Sequence, residues 1–302
     1  MEELNGDEAG LVGYWKLNNS LLDETSNNND LTNNNSATFS TTVAPIGGTI
    51  GLDTFLRGNS PTRGGTSETW SHTCTGDDRL LLVSICRDDD TTTAADDVTG
   101  VTYNSVAMTQ LVKLNTSTTE PGVLYIYGLL APATGANNIV VSLTGSTGSR
   151  AYCTSISYTG VSQSGLPDST NTLALTSAAT SQSISTTTVE DNSWVYAFFG
   201  QNGGSGDYSA GADTVLRSYC YTNNNERMAD FDSNGAVITA GSRTLNMTNA
   251  VSEERAGVVV SFAPVVASGP ANLKSYNGLA KASIKSINGL AIASIKSINS
   301  LE

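Results

Sequence analysis

Short apolar runs separated by clusters of Gly, Asn, Asp, Ser and Thr recur along most of the chain. Their spacing predicts strands over 69–75, 80–86, 98–114, 123–130, 138–143, 151–158, 193–200, 213–219 and 257–264. Between them stand turn-forming stretches such as Thr75-Gly76-Asp77-Asp78 and the Gly-rich segment 200–207. Trp194, Tyr196 and Phe198 alternate with Val195, Ala197 and Phe199, so this strand has two apolar faces and belongs in the middle of a covered sheet. No stretch carries an apolar 3.6-residue period. The pattern predicts an all-β protein: an antiparallel β-sandwich or jelly-roll body with an N-terminal β segment and a C-terminal β-ribbon repeat.

Composition divides the chain into three zones. Residues 1–58 combine an acidic start with an Asn-rich region, residues 59–267 form the β body, and residues 268–302 lose their acids until Glu302. The last zone is periodic. Lys274-Ser275-Tyr276-Asn277-Gly278-Leu279-Ala280 returns as Lys285-Ser286-Ile287-Asn288-Gly289-Leu290-Ala291 and again, shortened, from Lys296. An 11-residue period also suits a right-handed helical supercoil. Asn-Gly at the centre of each unit, however, is a poor helix element and a strong two-residue hairpin signal. The tail therefore reads as a β-ribbon. Such a ribbon has too little core to stand alone in water, so Leu279, Ile284, Ile287, Leu290, Ile292, Ile295 and Ile298 are expected to self-associate. A homotrimer is preferred over a dimer only by analogy with threefold fibres and spikes. A solvated tail and a strap docked on another protein are the alternatives.

Charge narrows the picture. The formal net charge is −13, and only 14% of residues are charged. The tail carries four lysines against one glutamate, leaving −16 on the rest of the chain. So acidic a body argues against nucleic-acid partners. No run approaches the roughly 18 apolar residues of a membrane helix, and no membrane insertion is expected. The start, Met1-Glu2-Glu3-Leu4, lacks the features of an export signal, although the Ser/Thr/Asn-rich composition suits an extracellular setting.

Candidate chemistry is sparse. Cys74, Cys86, Cys153 and Cys220 are widely scattered, which disfavours a zinc site and leaves small buried hydrophobes or a disulfide. His72, the only histidine, shares a strand face with Cys74; one strand rarely supplies nucleophile and base together, so His72 is expected to be a structural or a surface histidine. Asp88, Asp89, Asp90, Asp96 and Asp97 place five carboxylates within ten residues, a candidate Ca²⁺ loop, with a solvated acidic surface as the plainer reading. Tyr208, Tyr219 and Tyr221 flank the Gly-rich segment as a candidate sugar-stacking platform. No catalytic residue is nominated, an enzyme is not expected, and no cofactor beyond that Ca²⁺ is implied.

Three segments resemble known proteins. Leu11-Val12-Gly13-Tyr14-Trp15-Lys16-Leu17, followed by Asp23 and Ser26-Asn27-Asn28, is similar over about 40 residues to the opening of laminin-G/concanavalin-like domains of phage and bacterial surface proteins. Thr69–Thr73, Val98–Asn104 and Leu129–Gly135 resemble β-sandwich modules of phage structural proteins, and the Lys-Ser-Ile-Asn-Gly-Leu-Ala repeats resemble C-terminal repeats of phage particle proteins. These resemblances imply a bacteriophage virion protein, a capsid decoration, head fibre or tail-associated fibre. Such a protein is made in the host cytoplasm and exposed on the particle. Its implied partners are itself, capsid or tail proteins, and host-surface polysaccharide. A secreted bacterial adhesin or carbohydrate-binding module is the alternative.

Overall fold

The computed structural model describes residues 12, 14, 22–23, 25–31, 49–57, 64–89, 96–116, 122–145, 149–201, 208–221, 227–237 and 239–265, with 275–276, 279–280, 286–287 and 290–291 of the tail. Contacts divide the chain into two compact units, Met1–Pro45 and Ile46–Glu302. No helix occurs among the described residues.

The larger unit holds three main antiparallel sheets. The central sheet orders β1 (Gly51–Arg57), β9 (Ser149–Thr159), β3 (Leu80–Asp89), β7 (Val123–Leu130) and β6 (Thr109–Asn115). A small sheet orders β2 (Ser67–Cys74), β8 (Gly135–Leu143), β4 (Val98–Tyr103) and β5 (Val106–Ala107). A large sheet orders β10 (Ser169–Thr187), β15 (Ser242–Phe262), β11 (Trp194–Gln201), β14 (Arg227–Asp232) and β13 (Val215–Tyr221), with β12 (Tyr208–Ala210) also paired to β15.

Side-chain alternation stacks these sheets. On β3, Leu80, Leu82 and Cys86 enter one core while Leu81, Val83 and Ile85 enter another. The first core is shared with Trp194, Tyr196 and Phe198 of β11 and Val258 and Val260 of β15; the second with Trp70 of β2, Val101 of β4 and Ile139 of β8. The central sheet is thus covered on both faces. Burying each such large apolar side chain contributes about 1.5–3 kcal/mol.

The opposite face of β11 is also buried, as its two-sided apolar pattern requires. The cover comes from the sheet itself. β10 pairs with β15 from Ser169↔Ser261 to Leu175↔Arg255, the register shifts on either side of Ala179↔Glu253, and continuous pairing resumes from Ser181↔Thr248 to Thr187↔Ser242. At the break the ribbon doubles back, so that Ser169 Oγ lies 2.6 Å from Thr186 Oγ1 and Asn171 Nδ2 donates to Ser185 O at 2.8 Å. The returning leaflet lays Ile184, Leu245 and Met247, with Tyr208, over Val195, Ala197 and Phe199. Arg255, 1% exposed, clamps the bend by donating to Gln201 Oε1, Glu253 O and Val251 O. Gly257 sits under Phe199, where a Cβ would lie 2.8 Å from two ring carbons.

The run 98–114 expected as one strand is three, because Asn104 and Ser105 take positive φ (49° and 65°) and turn the chain between β4 and β5. β1, placed with the N-terminal zone by composition, pairs with β9 of the body. In the tail, β16 (Ser275–Tyr276) pairs with β17 (Leu279–Ala280) and β18 (Ser286–Ile287) with β19 (Leu290–Ala291), each leaving Asn-Gly between the strands. The expected hairpins are present, with two residues a side.

Candidate functional site

β2 alternates exposed and buried positions, which turns Glu68, Trp70, His72 and Cys74 inward. His72 is fully buried and meets β9: Nδ1 lies 2.9 Å from Ser155 Oγ and Nε2 lies 3.0 Å from Ser157 Oγ. Ser157 Oγ donates to Asp53 Oδ2 at 2.8 Å, and Trp70 Nε1 donates to Ser155 Oγ at 3.0 Å. Because Ser157 gives its proton to the carboxylate, His72 must donate through Nε2–H, which leaves Nδ1 to accept from Ser155. The bonds then run in one direction: Trp70 to Ser155 to His72 to Ser157 to Asp53. Burial pulls the His72 pKa down to about 4, so the imidazole is neutral at pH 7. In a hydrolytic triad the carboxylate orients the histidine; here it holds the serine instead. The cluster ties the small sheet to the central one through β2, β9 and β1, which gives His72 the structural rather than the surface position of the two expected.

The acidic segment divides in two. Asp97, 7% exposed, receives Arg87 Nε at 2.5 Å and Nη2 at 2.7 Å, and Arg87 itself is 1% exposed. Asp96 accepts from Lys113 Nζ at 2.8 Å and Tyr125 OH at 2.6 Å, and these two bonds hold its pKa below the ordinary value. Both carboxylates of this end are therefore committed to protein donors rather than grouped toward a shared cation. Asp88 and Asp89 fall on β3, paired with Arg150 and Ser149 of β9; their side chains and the whole of Asp90 lie outside the described residues. Among the described residues no three His, Cys, Asp or Glu side chains group as metal ligands.

The tyrosine platform is not assembled as expected. Tyr208 is 6% exposed and packs edge-on to Phe231, a core position created by the doubled-back leaflet. Tyr219 is 41% exposed on β13, with the Arg57 guanidinium 5.5 Å from its ring centroid. The side chain of Tyr221 lies outside the described residues, as do those of Leu279, Ile287 and Leu290 and all of Ile284, Ile292, Ile295 and Ile298. Cys74, Cys86 and Cys153 are buried thiols, matching the small-hydrophobe reading; the Cys220 side chain is outside the described residues.

One cluster was missed by sequence reasoning. β14 carries Asp230 and Asp232 on its face toward the central sheet, 2% and 0% exposed. Asp230 accepts from Thr154 Oγ1 at 2.9 Å, from Ser218 Oγ at 2.5 Å and from Tyr196 OH, which also lies 2.7 Å from Ser84 Oγ. Asp232 accepts Arg217 Nε at 2.7 Å, Arg217 Nη2 at 2.8 Å and Tyr158 OH at 2.9 Å. Burial pushes the Asp230 pKa up to about 6, against the lowering effect of its hydroxyl donors. The network bridges β3 and β9 to β11, β13 and β14 across an otherwise apolar core. The alternation Ala229-Asp230-Phe231-Asp232 reads in sequence as a strand with a wet face, which is why it gave no signal.

In the N-terminal unit, Asp23 gathers backbone N–H groups of Tyr14, Thr25 and Asn29 at 2.8–3.0 Å. Burial acts to raise its pKa, but these donors prevail and hold it at about 2. Asn27 and Asn29 both donate to Val12 O, closing the loop. No family model, curated protein or solved structure matches the chain.

Proposed function

We propose that this protein is a non-enzymatic surface component of a bacteriophage particle, a capsid decoration or a fibre of head or tail. The observation that carries the reading is the use of its polar residues. His72, Asp97, Asp230 and Asp232, the groups best suited to chemistry, are each engaged in clamps between sheets or along a sheet end. A body so fastened is suited to bearing load and presenting loops. The cationic tail, with its short hairpins, then joins an acidic body to its neighbours, either as the threefold contact of a homotrimer or as a strap on another particle protein. Mass spectrometry of purified particles is expected to find the protein in stoichiometric amount; its absence from them refutes the proposal.

Half-exposed Tyr219 beside Arg57 favours a second reading, a carbohydrate-binding module or adhesin, since an aromatic face with an adjacent donor suits a sugar ring. Glycan-array binding that Tyr219→Ala abolishes would select it.

A further inference from the structure

Edge strands expose unpaired N–H and C=O groups, and stable monomers protect them with charge, proline or brevity. Most edges here follow that rule. β1 carries Asp53 and Arg57, β2 Glu68, β6 Lys113 and β13 Arg217, while β5 and β12 are only two and three residues long. β10 breaks it. Its 19 residues, Ser169–Thr187, contain no Asp, Glu, Lys, Arg or Pro, in a chain with 28 acidic and 15 basic residues. It ends the order of its sheet, with β15 on one side and no strand on the other among the described residues. The exposed positions Thr170, Thr172, Ala174, Ser177 and Ala178 are small. Among the described residues Asn171 supplies a local cap: its Oδ1 takes the Thr172 N–H and its Nδ2 reaches Ser185 O.

We propose that the β10 edge is a self-association surface whose occupant is β10 of a second copy, paired antiparallel across a twofold axis. Two observations select that occupant. An antiparallel pair of identical strands is self-complementary, so one surface serves both copies. In addition, two chains of charge −13 repel, and the uncharged strip is where their strands approach at least electrostatic cost. A charged partner strand gains no ion pair anywhere along β10. The proposal goes beyond the particle reading, and concerns the body rather than the tail.

The test is analytical ultracentrifugation of the full chain over a dilution series, beside Thr170→Lys/Ala174→Lys and Thr170→Glu/Ala174→Glu. The wild type is expected to double its sedimenting mass as concentration rises, starting from the 31.4 kDa chain where the tail is a strap and from three such chains where it makes the threefold contact. Either charge sign, set opposite itself across the axis, is expected to weaken that association by at least about tenfold, with the circular dichroism unchanged. Hydrogen exchange of the wild type gives an independent readout: amides of segment 169–175 should gain protection with concentration. A chain monomeric throughout, an oligomer that both variants leave intact, or lysine and glutamate variants that shift association in opposite directions would each overturn the proposal.

Discussion

Replacing Asp230 by asparagine removes a buried charge while keeping an acceptor where Thr154 and Tyr196 donate. The new Nδ2 faces Ser218 Oγ, whose hydroxyl can turn to accept. In the native protein the Asp230 pKa lies at about 6 against 3.8 for the ordinary carboxyl. The folded state therefore binds the proton more tightly. That contribution to stability is fully present below pH 3.8 and is lost as the pH rises through 6; a shift of about two units corresponds to about 3 kcal/mol. Asparagine resembles the protonated carboxyl in charge, so Asp230→Asn should match the wild type near pH 4 and exceed its stability by up to about 3 kcal/mol at pH 8. Urea unfolding at both pH values, with the difference of differences as the readout, measures the effect free of any constant cost of the substitution. A variant destabilised equally at both pH values would refute the reasoning and leave Asp230 an ordinary hydrogen-bonding site. Asp230→Ala, which removes the acceptor of the buried Thr154 and Tyr196 hydroxyls and of half-buried Ser218, should be destabilising throughout.

The His72 limb has the opposite sign: with a pKa of about 4 in the fold against 6.5 outside it, stability should fall by about 3 kcal/mol as pH drops from 6.5 through 4, a loss best read in the Asp230→Asn background. Asp97→Asn leaves the buried Arg87 charge without its counterion and should cost about 3–5 kcal/mol, whereas Arg87→Met/Asp97→Leu together should recover most of that in denaturant midpoints. Gly257→Ala drives a methyl group into the Phe199 ring and should cost about 1–3 kcal/mol by thermal melting. Chelation with EDTA should leave the melting temperature unchanged, since Asp96 and Asp97 already have protein donors; a fall would restore the acidic segment as a Ca²⁺ site.

What the sequence alone determined is whatever depends on a strand's own two faces. The apolar runs of β3, β7, β11 and the second half of β15 announced themselves, as did the central position of β11 and the Asn-Gly hairpins of the tail. For His72 the sequence left a structural and a surface position open, and the packing of β2 on β9 decided for burial. Partners distant in the chain were not legible. Ser155 lies 83 residues from His72, and Thr154 lies 76 from Asp230. The polar strand β10, the first half of β15 and β14 also escaped, because Ser, Thr and Asp in alternation look the same whether the facing side is water or another sheet. The doubled-back leaflet decides that question for Tyr208, and the stacking of large on central sheet decides it for Asp230 and Asp232. Alternation fixes which residues share a face. Only the packing of whole sheets decides which faces lose their water, since that depends on distant chain segments, 112 residues apart for Ser84 and Tyr196.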